Sequence, residues 1–155
     1  MVWAGISANG PTQPIFVESE AKISAKYYIE NILKVFLSRD VPALYPDGDF
    51  VFQQDSAPSY SAKMTMKYLE SQNVKFITPD QWLPNSLDIA PCDYFLWGYL
   101  KRKISMRNIK TIAGLKKAIV EEFKNLDQEK IQNALKAWPK RIRKVYFQKG
   151  KHIEK

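Results

Sequence analysis

One cysteine, one histidine and no long apolar run are what this 155-residue chain has least of, and each scarcity removes a class of function. Cys92 alone excludes an internal disulfide, and His152 alone leaves almost no material for cysteine/histidine zinc sites or for Ser-His-Asp and Cys-His catalysis. No apolar stretch reaches the roughly 20 residues that a membrane helix needs. A basic segment followed by an apolar one is missing from the N-terminus, so no signal peptide is expected and the chain reads as intracellular. Internal repeats, low-complexity segments and interior linkers are absent as well. Chemistry, if any, has to rest on carboxylates, lysines or a hard metal ion.

What is present is ordinary in amount and uneven in place. Hydrophobic residues at 45% and charged residues at 26% fit one globular domain with a real core. The formal charge of +8 is split: residues 1–93 hold seven Lys and Arg against eleven Asp and Glu, whereas residues 94–155 hold seventeen against five. An acidic part of net −4 therefore precedes a basic part of net +12. That asymmetry points to a polyanion beside a carboxylate site, because cations that neutralise phosphates gain from counterion release; a solvated basic surface is the plainer reading.

Periodicity gives the elements. Met1–Ser7, the turn signal Ala8-Asn9-Gly10-Pro11 and Pro14–Glu18 form a hairpin pattern. Ala25, Tyr28, Ile29, Ile32 and Phe36 predict an amphipathic helix from about Ser24 to Ser38. Phe50–Gln54 is a short buried strand, Ser61–Gln72 a second helix and Val74–Thr78 a further strand, so the order indicates an α/β sheet with at least one crossover. A loop with three prolines runs from Pro79 to Pro91, before a helix over Tyr94–Ile104. Thr111 and Asp127 are placed to cap two more helices, the last of which Pro139 should break or kink, leaving a basic tail with Lys140, Arg141, Arg143, Lys144, Lys149 and Lys151.

The strand at Phe50 ends in Gln53-Gln54-Asp55, followed by Ser56-Ala57-Pro58. A carboxylate at the C-terminal end of a strand, before a loop, lies where α/β sheets place ligand and metal sites; capping the next helix is the simpler role. Asp93 opens a helix, where the helix dipole alone would favour an acid. Both belong to one longer pattern. The segment Gln53-Gln54-Asp55-Ser56-Ala57-Pro58-Ser59-Tyr60 and the segment Asn85-Ser86-Leu87-Asp88-Ile89-Ala90-Pro91-Cys92-Asp93-Tyr94-Phe95-Leu96-Trp97 together resemble the catalytic core of mariner-type transposases. The 37 residues between Asp55 and Asp93 resemble the branch whose third acid is aspartate. Met1–Ser7 and Ala137-Trp138-Pro139-Lys140-Arg141 are similar to that family too.

The resemblance implies a ribonuclease-H-like α/β fold, a mixed sheet flanked by helices, with a partial core over 1–104 and a basic helical extension over 105–155. It implies that Asp55 and Asp93 are the second and third metal-binding acids of a two-metal site for Mg²⁺ or Mn²⁺, and that Asp88 shapes the loop between them. Two such ions, about 4 Å apart, suit DNA strand cleavage and transfer. The family's first acid, on a central strand, has no counterpart in these 155 residues. Hence residues 1–7 are expected either to pair directly with Phe50–Gln54 or to leave the sheet interrupted there, and the fragment is expected to be inactive. Tyr60 stands where the family has histidine, and Leu87 where it has proline. The family's helix-turn-helix modules have no counterpart either, so the expected partner is DNA bound without sequence preference, in the nucleus, with a homodimer or related transposase and no membrane. Two other readings stay open: a non-enzymatic remnant that binds DNA or a transposase, and an unrelated basic nuclease using Asp55, Asp88 and Asp93.

Overall fold

The computed structural model describes residues 1–18, 20–82 and 89–148. Two compact units divide the chain, one made of Met1 and Val17–Asn85, the other of Val2–Phe16 and Ser86–Lys155.

In the first unit, the helical segment begins where Ser24 accepts a hydrogen bond from the Tyr27 amide, at about the expected start of the helix. Helix α1 (Ala25–Tyr28) runs through wide π-type turns at Ile29–Leu33 and Phe36–Asp40 into α2 (Val41–Leu44), six residues beyond the predicted end. Pro42, which lacks the amide that a regular turn would use, lies within this extension. The turn before it is already widened, with the Val41 amide bonded five residues back to the Phe36 carbonyl. Tyr28, Ile32, Leu33 and Phe36 are buried by this helix, and Phe36 stacks on Phe52 at 5.2 Å.

Phe52 belongs to β5 (Val51–Phe52), which pairs in parallel with β6 (Lys75–Phe76). Between them lie α3 (Pro58–Ser61) and α4 (Lys63–Ser71), so the predicted crossover is present; α4 is the expected helix, and the short α3 precedes it across a break at Ala62. Val51 is 61% exposed while Phe52 is buried. The strand thus covers one face only, and the expected fully buried run is corrected to ordinary alternation.

In the second unit, the predicted hairpin forms with an extra residue. Strand β1 (Val2–Trp3) pairs with β4 (Ile15–Phe16), and β2 (Ile6–Ser7) with β3 (Gly10–Pro11), all antiparallel. Two residues on the first arm face three on the second, a bulge at which Thr12 bonds Gly5 through both backbone and hydroxyl. Gly10 closes the tight turn at φ 139°, a conformation that favours glycine. Among the described residues these three ladders are the whole of the β-pairing, and none joins the hairpin to β5.

The hairpin lies against helices. A π-type turn at Cys92–Leu96 leads into α5 (Trp97–Ser105), followed by α6 (Ile112–Lys124) and α7 (Gln128–Phe147). Leu96, Leu100, Ile119, Phe123 and Ile131 pack with Ala4 as the core. Thr111 accepts from the Gly114 amide and Asp127 from the Glu129 amide, so both predicted caps are made. Pro139 does not end α7, which continues through eight further residues. Residues 140–147 are therefore helix rather than tail; Lys149, Lys151 and His152 lie outside the described residues.

Candidate active site

Asp55 follows β5 by three residues, at the end of the strand from which the βαβ crossover departs. It is exposed, and its Oδ1 accepts the Ala57 amide at 2.9 Å. Ala57 precedes α3, so this carboxylate shapes the turn into the helix and does not bond a helical amide itself. Among the described residues Oδ2 has no hydrogen bond.

The loop carrying Asp55 is fastened from three sides. Tyr28 donates its hydroxyl to Gln54 Oε1 at 2.9 Å, and Gln54 Nε2 donates to the Tyr60 carbonyl at 3.1 Å. The Tyr28 and Tyr60 rings lie 4.2 Å apart. Thr65, fully buried, donates its hydroxyl to the Ser59 carbonyl at 2.7 Å. Burial, and then the neighbouring Asp55 charge, push the Tyr60 phenol up to about 12. Tyr60, in the histidine position of the resemblance, is thus a neutral phenol at physiological pH.

Asp93 sits in the first turn of the segment Cys92–Leu96, half-buried, with its amide bonded to the Ala90 carbonyl at 2.9 Å. Its neighbour Tyr94 donates to the Ala134 carbonyl at 2.7 Å and lies 3.9 Å under the Arg141 guanidinium. Those contacts tie the start of this helical segment to α7. Burial raises the Tyr94 phenol, an effect that Arg141 partly opposes.

Asp55 belongs to the first compact unit and Asp93 to the second. Asp88 lies outside the described residues. Among the described residues no group of three histidine, cysteine, aspartate or glutamate side chains is set to hold a metal ion. The donor chemistry nevertheless fits a hard divalent ion, because Asp55 offers an oxygen with no hydrogen bond among the described residues, and carboxylate oxygen is what Mg²⁺ and Mn²⁺ take. The Tyr28–Gln54–Tyr60 support was invisible in the sequence, since Tyr28 is 26 residues from Gln54 and no local pattern couples them.

No family model matches the sequence. The Tc3 transposable-element transposase of Caenorhabditis elegans is 26% identical over 155 residues, 99% of this chain and 45% of that protein. The Mariner Mos1 transposase of Drosophila mauritiana is 27% identical over 104 residues, 67% of this chain and 29% of that protein. This chain thus spans less than half the length of either relative. Among solved structures, the Mos1 transposase catalytic domain with Raltegravir and Mg superposes at a TM-score of 0.83 and 23% identity, covering 99% of this chain and 75% of that one. A Mos1 paired-end complex with the left transposon end gives 0.84 at 24% identity, over 99% of this chain and 44% of that one. The mixed α/β fold is that of the Mos1 catalytic domain, as a ribonuclease-H-like reading of the sequence expects.

Proposed function

Since the chain is homologous to the Tc3 and Mos1 mariner transposases, we propose that it is a part of a cut-and-paste transposase catalytic domain that acts on DNA with divalent metal ions. The observation that carries this reading is Asp55, a solvent-facing carboxylate behind a parallel strand on a loop fastened at Gln54, Ser59 and Tyr60. Asp55 and Asp93 would hold Mg²⁺ or Mn²⁺ as the second and third acids. Bound there, a pair of divalent ions would supply activation of the attacking hydroxyl and stabilisation of the leaving oxygen. The chain's own contribution is position: the Ala57 amide fixes one Asp55 oxygen and leaves the other for the ion. Tyr60 adds no charge of its own beside Asp55, because its phenol stays protonated. Asp88 would shape the intervening loop.

The basic half, net +12 over residues 94–155, would hold DNA by its phosphates without reading its sequence. A nuclear location and a second transposase chain as partner fit the same reading. No helix among the described residues is long and apolar enough to cross a membrane. The 155 residues supply two of the three acids, so on their own they are expected not to nick or join DNA in Mg²⁺ or Mn²⁺.

The test joins the chain to the corresponding upstream strand of Tc3, aspartate included, and measures nicking of transposon-end DNA. Metal-dependent nicking that D55N and D93N each abolish is the expected result, because members of such a site act as a unit. Asp88→Asn should be milder. Nicking by the unextended chain that D88N eliminates would instead establish an independent nuclease site.

A further inference from the structure

The second half of α7 carries cations and aromatic rings that the packing of the helix does not use. Ile131, Ala134 and Val145 form its buried stripe. On the opposite side Lys136, Lys140, Arg143 and Phe147, spaced by four, three and four residues, fall in one line, and all four are exposed. Lys144 and Tyr146 flank that line, also exposed. None of Lys136, Lys140, Arg143 and Lys144 makes an ion pair among the described residues, and no acid occurs between Lys130 and Gln148.

Helix polarity accounts for only part of this. A cation in the last turn is favoured by the helix dipole, which covers Lys144, but that influence fades within one turn and does not reach Lys136 or Lys140. Nor does it explain two adjacent aromatic residues left 77% and 79% exposed, Tyr146 and Phe147, with ring centroids 5.8 Å apart at 75°. Large apolar side chains grouped on a surface mark an interaction site, and these sit at the end of a line of unpaired cations. A chain of phosphates meets the cations, and unstacked bases meet the rings; duplex DNA, with its bases stacked inside, offers the first but not the second.

We infer that the exposed face of α7 from Lys136 to Phe147 is a binding track for an unpaired DNA strand, with Lys136, Lys140 and Arg143 on its phosphates and Tyr146 and Phe147 stacking its bases. This rests on the reading of the chain as DNA-acting and adds a preference to it: strand ends and gaps over intact duplex.

Fluorescence anisotropy of the 155-residue chain, with a labelled 15-nucleotide single strand and a hairpin duplex of the same sequence at fixed salt, tests it. Tyr146→Ala with Phe147→Ala should weaken single-strand binding by about tenfold for each ring lost, leaving duplex binding and the salt dependence unchanged. Tyr146→Phe with Phe147→Tyr should bind as the unaltered chain does, since stacking needs the ring and not the hydroxyl. Lys140→Gln with Arg143→Gln should weaken both substrates and flatten the salt dependence. Duplex binding with no ring dependence on the single strand would overturn the track while leaving DNA binding intact; no binding to either substrate would overturn both. Ring variants that dissociate a dimer in sedimentation, with strand binding unchanged, would assign the rings to self-association and overturn the track.

Discussion

Thr65 has no solvent exposure and gives its one hydroxyl proton to the Ser59 carbonyl, in the loop that ends the Asp55 segment. Replacing it with valine keeps the shape but removes this donor from the part-buried Ser59 carbonyl, a loss of about 1 kcal/mol that denaturant melts would register. The same change should cost the extended, nicking form of the chain more activity than its lowered stability explains, because the loop's geometry is what loosens. Tyr60 gives a pH readout of the same loop. Its phenol is raised to about 12, so the fold's preference for the neutral ring is fully present below the ordinary tyrosine value near 10 and is lost as pH rises toward 12. An ultraviolet titration should show one tyrosine ionising near 12, and Asp55→Asn should lower that value slightly, since burial is the larger cause and the Asp55 charge the smaller. At this scale the expectation for Asp55 and Asp93 came from their neighbours in sequence, which carry the pattern. Thr65 and Gln54 were not, because their partners are set by the fold.

Helix ends were the most readable elements. Thr111 and Asp127 each make the cap expected of them, and Ser24 caps the helix expected to begin about there, since a cap is a contact within three residues. Thr111→Ala should therefore cost about 1 kcal/mol, seen as a melting temperature a few degrees lower. Pro139, expected to break or kink its helix, lies inside one that continues to Phe147, so the local cost does not decide where that helix ends. Packing of Val145 beyond Pro139 holds the helix on course, as tertiary contacts override propensity. If so, Pro139→Ala should stabilise the chain, by up to ~3 kcal/mol, because it restores a donor to a helix already formed. No gain in the melt would mean that the helix breaks there. The hairpin's extra residue was equally unreadable: the pairing is regular on either side of the bulge, and nothing between Ala4 and Pro14 marks which residue is surplus.

For the whole molecule, charge separation was plain in the sequence, and the grouping of the chain into two compact units was not, because the second unit gathers residues 2–16 with everything after 85. If the chain acts on DNA as proposed, the net +12 of residues 94–155 should make its DNA affinity a steep function of salt. Changing Lys140, Arg141, Arg143 and Lys144 together to glutamine should reduce the slope of log affinity against log salt by roughly 3–4, if each meets a phosphate. Affinity for a transposon end and for scrambled DNA should fall alike. The acids themselves are tested most directly by adding Mn²⁺ to the isotopically labelled 155-residue chain and following the amide signals by nuclear magnetic resonance. If Asp55 and Asp93 hold metal together, amides at Ser56, Ala57 and Tyr94 should broaden first, and Asp93→Asn should relieve the broadening at Ala57 as Asp55→Asn relieves it at Tyr94. Broadening that is strongest at other acids, or that persists at Ala57 when Asp93 is replaced, would contradict a shared metal site.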